Sequence, residues 1–221
     1  MMPLFTHIDW ADIAQACIDT LEMLGGALLL TVLLGLPLGI ALFLTGPRQV
    51  WSRRFVHAAL ALVVNLLRAV PFIILLIVMI PLTVLLVGTS LGVIGAIPPL
   101  VVGAAPFFAR LVETALREVD RDTIEATQAM GATTTQLVSR TLLPEALPGL
   151  IAATTLTAIA LVSFTAMAGV VGAGGLGDLA IRFGYQRFQT DVMIVTVALL
   201  LILVQILQIA GDRLVRRVSH R

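Results

Sequence analysis

Long uncharged apolar runs alternate with short polar segments along this chain. The longest run covers residues 69–109 and is bracketed by Arg68 and Arg110. Because one membrane-spanning helix needs only about 20 apolar residues, this run predicts a hairpin of two spans that turns at Gly88-Thr89-Ser90. Single spans are predicted from three further uncharged runs, at residues 23–47, in the first two-thirds of 146–177, and at 192–211. The pattern therefore predicts an all-α integral membrane protein with five transmembrane helices.

Glycines and acidic residues predict how the first span begins, packs and ends. The acidic residues before position 23 predict a short interfacial helix that leads into the span. Gly35 and Gly39 have the four-residue spacing that lets another helix approach closely. The Gly46-Pro47 pair predicts the end of the span.

The hydrophobic pattern predicts where the second span ends but leaves open where it begins. Residues 55–67 are also apolar, so the span begins either there or after Arg68. Arg68 accordingly lies either at the interface or at membrane depth, facing the protein interior. Pro81 and the Pro98-Pro99 pair are predicted kinks or irregular points of this hairpin.

Arginine placement predicts the orientation of the spans, because basic residues favour the cytoplasmic side. With five spans and the N-terminus outside, the inner segments contain Arg48, Arg53, Arg54, Arg117, Arg121, Arg140, Arg213, Arg216, Arg217 and Arg221. The outer segments contain only Arg182 and Arg187. The bias predicts that the N-terminus is outside, the C-terminus is inside, and the polar segment between the third and fourth spans is cytoplasmic.

The composition argues against several classes of function. Hydrophobic residues are 59% and charged residues 12% of the 221 residues, which is typical of integral membrane proteins. All 14 basic residues are arginine, whereas a Walker A phosphate loop requires lysine. ATP hydrolysis of that kind must therefore come from a partner. The net charge of +1 argues against nucleic-acid binding. We find no paired carboxylates or metal-ligand spacing, so we expect no enzyme activity and no cofactor bound by this chain.

The longest polar interruption runs from Asp122 to Pro144 and predicts two short helices joined at a glycine. Two pairs have the spacing of a capping box: Asp122 with Glu125, and Thr133 with Gln136. Gly131 predicts a left-handed residue where the first helix stops. Pro144 predicts the end of the second helix, because the residue before a proline is disfavoured in the helical region. Such an element between two spans is typical of a docking surface.

This stretch resembles the EAA motif of ABC-importer permeases, which is Glu-Ala-Ala, three residues, Gly, nine residues and Ile-x-Leu-Pro. The residues that match are Glu125, Ala126, Gly131, Leu143 and Pro144. Thr127 replaces the second alanine and Thr141 replaces the isoleucine. In that family the element is a cytoplasmic coupling helix that fits a cleft in a separate ATPase subunit. The resemblance implies ATPase coupling by these five residues, within a coupling segment at residues 118–144. The alternative is an ordinary amphipathic loop.

Longer segments resemble the permeases of methionine ABC importers, over roughly residues 25–217. They are R-A-V-P-F-I-I-L-L (68–76), V-G-T-S-L-G (87–92), G-A-A-P-F-F-A-R (103–110), L-L-P-E-A-L-P-G-L (142–150), V-G-A-G-G-L-G (171–177) and A-G-D-R (210–213). The resemblance implies a type I ABC-importer permease fold, in one transmembrane domain of residues 1–221, located in the bacterial inner membrane. It implies import of methionine, with D-methionine and methionine derivatives as further candidate substrates.

The same resemblance implies the partners and the mechanism. The partners are a second copy of this chain, two copies of an ATP-binding cassette ATPase, and an extracytoplasmic substrate-binding lipoprotein. ATP binding would draw the ATPases together and move the docked coupling helices. The spans would then rock, so that the central path opens outward, and ATP hydrolysis would return it inward.

One face of the fourth span is the predicted lining of that path. Ser163 and Met167 are four residues apart and so share a helix face, with Ala160 beside them. A narrow face with a flexible thioether suits a surface that seals and then admits a thioether-bearing amino acid. The alternative is that Ser163 bonds its own backbone and Met167 fills a packing gap.

Other functions stay open at this point. One is a permease for another small amino acid or polar solute. Another is a non-ABC secondary carrier, but such a carrier normally has acidic residues or histidine at mid-membrane, and the predicted span interiors have none. The residues Gly172, Gly174 and Gly177 have G-x-G-x-x-G spacing. A membrane helix precedes them where a dinucleotide site requires a strand, so they predict a compact turn.

Overall fold

The computed structural model describes residues 9–47 and 49–219, and the regular secondary structure in that part of the chain is helical. The helices are α1 (Trp10–Thr45), α2 (Arg54–Ala69), α3 (Phe72–Val87), α4 (Gly92–Arg117), α5 (Arg121–Ala129), α6 (Thr134–Gln136), α7 (Leu143–Glu145), α8 (Leu147–Gly169), α9 (Gly175–Leu179) and α10 (Thr190–Val218). Two π-helical segments, Leu137–Leu142 and Ala180–Tyr185, follow α6 and α9. The predicted all-α class is confirmed.

Four described helices, α1, α4, α8 and α10, are long and apolar enough to cross a membrane, and the count reaches five if α2 and α3 form one broken span. The predicted turn of the hairpin is confirmed. Helix α3 ends at Val87, Gly88 follows with a left-handed φ of 80°, and α4 begins at Gly92. Helix α3 continues through Pro81, and the break in this region falls before it, at Pro71.

Helix α1 is continuous over 36 residues, so the short interfacial helix predicted before residue 23 is not separate from the first span. Its first turns are amphipathic, with Ile13 and Ala16 buried. On the polar side, the Gln15 amide donates to the Asp19 carboxylate at 2.8 Å, one turn along the helix. The acidic residues are therefore accommodated on one face without interrupting the helix. The predicted end at Gly46-Pro47 is confirmed.

The chain divides into two compact units. The first unit consists of the described residues up to Leu30, together with Val70–Ala104 and Ala158–Gln208. The rings of Phe72 and Phe164 stack in its apolar core, with centroids 4.4 Å apart. The glycine-rich turn also lies here, with positive φ at Gly172, Gly174 and Gly175. The N–H of Leu176 donates to the buried Thr20 hydroxyl at 2.9 Å, so the predicted compact turn is confirmed.

The second unit consists of Thr31–Ala69, Ala105–Thr157 and the described residues from Ile209 onward. Its core includes Phe43, Val112 and Leu116. A Cβ atom on Gly39 would lie 2.6 Å from the Val112 Cβ, which confirms the close approach predicted from the glycine spacing. Arg68 is exposed near the end of α2, and its guanidinium lies 5.9 Å from the centre of the Phe107 ring.

Candidate functional site

The first helix of the coupling segment is capped by a residue that the sequence reasoning missed. The N-cap of α5 is Asp120, whose carboxylate accepts the N–H of Asp122 at 3.0 Å. Glu125 instead forms an ion pair with Arg121 at 2.7 Å. The capping box predicted for Asp122 and Glu125 is therefore wrong, because α5 begins at Arg121 and places Asp122 inside its first turn. Two aspartates within three positions both fit a cap, and spacing alone does not choose between them.

Gly131 has the left-handed conformation predicted for it. Helix α5 ends at Ala129, and Gly131 follows the C-cap Met130 with a φ of 80°. The position is exposed, and no atom lies within 4 Å of where a Cβ would be. Any penalty for a side chain here is therefore conformational rather than steric, about 1 kcal/mol or more.

The second capping box is confirmed, and the predicted helix end at Pro144 is wrong. The Thr133 hydroxyl accepts the N–H of Gln136, while the Gln136 side chain accepts the N–H of Thr133. The chain then remains helical from α6 through the π-helical segment Leu137–Leu142 into α7, which contains Pro144.

The π-helical segment explains how a proline fits inside this helical stretch. Proline has no N–H and its ring conflicts with the carbonyl four residues earlier in an α-helix. Here the wider π turn precedes it, and the N–H of Leu143 reaches back five residues to the Val138 carbonyl. Leu143 has a φ of −66° and a ψ of −43°, which are helical values, although the helical region is disfavoured for a residue that precedes proline. The Ala146 N–H then donates to the Leu142 carbonyl at 2.9 Å.

Thr127 and Thr141, the two departures from the EAA motif, are in contact. Their hydroxyl oxygens are 3.2 Å apart, and the Thr127 hydroxyl also lies 2.8 Å from the Thr123 carbonyl, to which it donates. Because that hydrogen is used, the Thr141 hydroxyl donates to Thr127. This bond joins α5 to the π-helical segment, between residues that are 14 positions apart.

The coupling segment is anchored on one side and bare on the other. Ile124, Leu137 and Leu142 are buried in the core of the second unit. The exposed residues include the motif positions Glu125, Ala126, Gly131 and Pro144, with Leu143 half-buried. Met130, which the sequence reasoning did not single out, is 80% exposed. An anchored element with a bare face of mixed apolar and charged character is suited to docking on another protein.

A buried ion cluster lies on the last turns of α4, directly before the coupling segment. The Glu113 side chain is only 3% exposed, and its two oxygens each contact an arginine at 2.6 Å, Arg110 and Arg117. Arg110 also donates to the Asn65 side-chain oxygen at 3.0 Å, which links α4 to α2. A buried carboxylate is tolerated when it is paired in this way. The arginines three residues before and four residues after Glu113 were the sequence signal for this cluster.

The predicted path residues lie together on one face of α8. Ala160 is half-buried, while Ser163 and Met167 are exposed, Met167 by 44%. Within the described part of the chain, the Met167 side chain is thus not enclosed by packing. The lining role of these three residues stays a prediction.

Comparisons with known proteins agree with one another. The model of the family "Binding-protein-dependent transport system inner membrane component" matches residues 32–220. A Vibrio cholerae protein named as a probable D-methionine transport system permease, MetI, is 50% identical over 92% of this chain and 90% of its own. The methionine import system permease protein MetP of Bacillus subtilis is 45% identical over 98% of both chains.

Solved structures with the same fold were also found. A chain of the MetNI methionine ABC transporter, in inward-facing conformations, matches with a TM-score of 0.94 and 46% identity, over 96% of this chain and 98% of that one. A chain from an amino acid ABC transporter with histidines matches with a TM-score of 0.76 over 94% of both chains, at 17% identity. The second likeness is one of fold alone.

Proposed function

Because this chain belongs to the family of binding-protein-dependent transport system inner membrane components, we propose that it is the permease subunit of an ATP-driven importer of methionine. The observation that supports methionine as the substrate is the similarity to methionine permeases, which are 45–50% identical over almost the whole chain. D-Methionine and methionine derivatives are further candidate substrates. The runner-up is import of another small amino acid, which the same fold would also allow.

The proposed assembly is a homodimer in the bacterial inner membrane with two ATPase subunits and an extracytoplasmic substrate-binding lipoprotein. The likeness to a MetNI transporter chain supports the dimer and the ATPase, and the family description supports the binding protein and the inner membrane. A separate ATPase is also supported by the absence of lysine from the sequence, since a Walker A loop requires one.

The proposed topology has five spans with the N-terminus outside. Helices α2 and α3 together form the second span, interrupted at Pro71. The arginine bias supports this orientation, which places the coupling segment, residues 118–144, in the cytoplasm within one transmembrane domain of residues 1–221.

The proposed coupling site consists of Glu125, Ala126, Gly131, Leu143 and Pro144. Movement of a docked ATPase would be transmitted because the buried residues Ile124, Leu137 and Leu142 fix the segment to its unit. The Thr127–Thr141 hydrogen bond keeps the two halves of the segment together. Alternating access follows if ATP binding moves this anchored element and the attached spans, and ATP hydrolysis returns them.

The proposed path surface is the face formed by Ala160, Ser163 and Met167. Ser163 and Met167 are exposed in the single chain. A path on the axis of a dimer requires such exposure, because each copy of the chain contributes one wall of the path. The unbranched Met167 side chain adapts its shape easily, so this face seals the path in one state and accommodates substrate in the other as the spans move.

Labelling and co-purification test this proposal together. In a background with Cys17 replaced by serine, a single cysteine at position 9, which is exposed, should react with an impermeant thiol reagent added to intact cells. Cysteines at positions 128 and 218 should react only after the membrane is opened. The ATPase should co-purify with the unmodified chain. External labelling at position 128 would contradict both the topology and the coupling role.

A further inference from the structure

The short connection before α10 exposes two aromatic side chains beside two arginines. Tyr185 is 70% exposed and Phe188 is 87% exposed. Phe188 has a φ of 56°, and it is the only non-glycine residue with positive φ in the described part of the chain. Such a conformation is a marked outlier for a bulky residue. Hydrogen bonds from the Gln189 N–H to the Phe183 carbonyl and from the Thr190 N–H to the Phe188 carbonyl stabilise it. The backbone therefore presents the Phe188 ring outward at an energetic cost.

The arginines beside these rings differ in their pairing. Both guanidinium groups lie over the Phe183 ring, with Arg182 at 4.9 Å and Arg187 at 4.5 Å from its centre. Arg182 also forms an ion pair with Asp178 at 2.7 Å. Within residues 9–47 and 49–219, no carboxylate forms an ion pair with Arg187. Arg187 is thus an exposed cation stacked on the Phe183 ring, and no carboxylate of the described residues compensates its charge.

The length of α10 gives the depth of this connection in a bilayer. Residues 192–211 are uncharged, and at 1.5 Å per residue they span about 30 Å, the thickness of the hydrocarbon core. Asp191 therefore lies at the edge of that core. Tyr185, Arg187 and Phe188 come within six positions of Asp191, at the depth of the lipid headgroups, where aromatic side chains concentrate in membrane proteins.

We propose that Tyr185, Arg187 and Phe188 form a binding site for an anionic phospholipid of the surrounding bilayer. The Arg187 guanidinium would bind the headgroup phosphate, since its planar donors match a phosphate. The Phe188 and Tyr185 rings would lie among the headgroups and upper acyl chains. A bilayer is favoured over a protein partner because this connection leads directly into α10, and only 11% of the residues in an apolar 18-residue stretch of that helix are buried. The proposal rests on the proposed function only in requiring that α10 spans a bilayer.

Tryptophan fluorescence tests the site in the full chain, purified with its ATPase and placed in lipid nanodiscs. Trp10 and Trp51 are the two native tryptophans. These two and any tryptophans of the ATPase are replaced by phenylalanine, so that Tyr185→Trp supplies the only reporter. Two nanodisc preparations have the same mixture of phosphatidylcholine and phosphatidylglycerol. In one, the phosphatidylglycerol is brominated, and in the other, an equal amount of the phosphatidylcholine is brominated, so that bromine density is the same.

The expected result is stronger quenching by the brominated phosphatidylglycerol. A basic residue at an anionic surface gives about a fivefold local enrichment, from roughly 1 kcal/mol of attraction. Arg187→Gln should abolish the difference between the two preparations, Arg187→Lys should keep most of it, and high salt should reduce it. Arg182→Gln combined with Asp178→Asn is the matched control, and it should keep the difference because it removes a neutral ion pair and leaves the local net charge unchanged.

Two outcomes would overturn the proposal. Equal quenching in the two preparations would mean that the headgroup charge is not recognised. Quenching by aqueous acrylamide but not by either brominated lipid would mean that the rings face water, as they would if they bind a protein partner. Phe188→Trp as a second reporter guards against a local effect of the first substitution. Either of these outcomes leaves the transport proposal intact, because the fluorescence quenching is measured without substrate or ATP.

Discussion

The hydroxyl oxygens of Thr127 and Thr141 lie 3.2 Å apart and join the first helix of the coupling segment to the π-helical segment that follows it. These positions hold alanine and isoleucine in the family motif. A hydrogen bond between two half-buried hydroxyls thus joins two positions that are apolar in the motif. The bond contributes to the stiffness of the element only while both partners are present.

We therefore expect the single substitutions at Thr127 and Thr141 to reduce methionine uptake more than the double substitution does. Thr127→Ala leaves the half-buried Thr141 hydroxyl without its acceptor, at a cost of about 1 kcal/mol, whereas replacing both partners by apolar groups is close to neutral. Thr141→Ile should be milder, because the Thr127 hydroxyl keeps its bond to the Thr123 carbonyl. We expect each single variant to lose part of its methionine uptake and the double variant to regain most of it. A double-mutant cycle measured by uptake and thermal stability checks this.

The control for this cycle is Ser139→Ala. The Ser139 hydroxyl is exposed and bonds only a carbonyl of its own helical stretch at 2.8 Å, so uptake should be unchanged. If the loss of uptake in the double variant equals the sum of the losses in the two single variants, the two threonines act independently.

Substitution of Gly131 should separate ATPase docking from membrane insertion. Gly131→Val forces a β-branched residue into a left-handed conformation, which costs about 1–2 kcal/mol. We expect normal membrane levels, weaker association with the ATPase and loss of uptake. Gly131→Asn is the matched control and should be milder, because asparagine visits this conformation more readily. Quantitative co-purification measures the effect, and equal behaviour of the two variants would argue against a conformational cause.

Removal of the buried carboxylate should destabilise the chain. Glu113→Ala leaves Arg110 partly buried without its partner, and breaking a buried pair costs on the order of 3 kcal/mol. The loss is reduced by the exposure of Arg117, because solvent screens that pair. We expect a lower thermal unfolding temperature in detergent. The control is Glu118→Ala, at an exposed position nearby, which should change the unfolding temperature little. An unchanged unfolding temperature in both variants would show that the cluster does not stabilise the chain.

Reactivity of the α8 face should depend on the transport state. A cysteine at position 167 should react with a small thiol reagent at a rate that changes with methionine or with ATP turnover. A cysteine at position 165 is the control, since Thr165 is buried, and it should stay inert. Met167→Trp should block uptake and leave ATPase association intact. A constant rate at position 167 in every state would remove this residue from the path.

Local turn chemistry explains the parts of the fold that the sequence predicts correctly. Gly88, Gly131 and the Thr133–Gln136 capping box each depend on a few neighbouring residues. Their conformations follow from sterics and short-range hydrogen bonds, so no knowledge of the tertiary structure is needed. The same holds for the apolar runs, whose lengths match a bilayer.

Tertiary context explains the parts that the sequence does not predict. Pro144 ends an α-helix by local rules, but the π-helical segment before it provides a hydrogen-bond pattern that tolerates proline. The choice of Asp120 over Asp122 as N-cap depends on where α4 ends. The Thr127–Thr141 bond requires the fold of the segment, since the two residues are 14 positions apart.

The central claim is that this chain forms the path for ATP-driven methionine uptake, and transport into proteoliposomes tests it most directly. The chain is reconstituted with its ATPase and binding protein, with ATP supplied on the ATPase side and labelled methionine on the other. The account predicts accumulation that requires ATP hydrolysis, is lost with Gly131→Val, and persists when ionophores dissipate ion gradients. Accumulation that needs no ATP and collapses with the ionophore would contradict it and identify a secondary carrier.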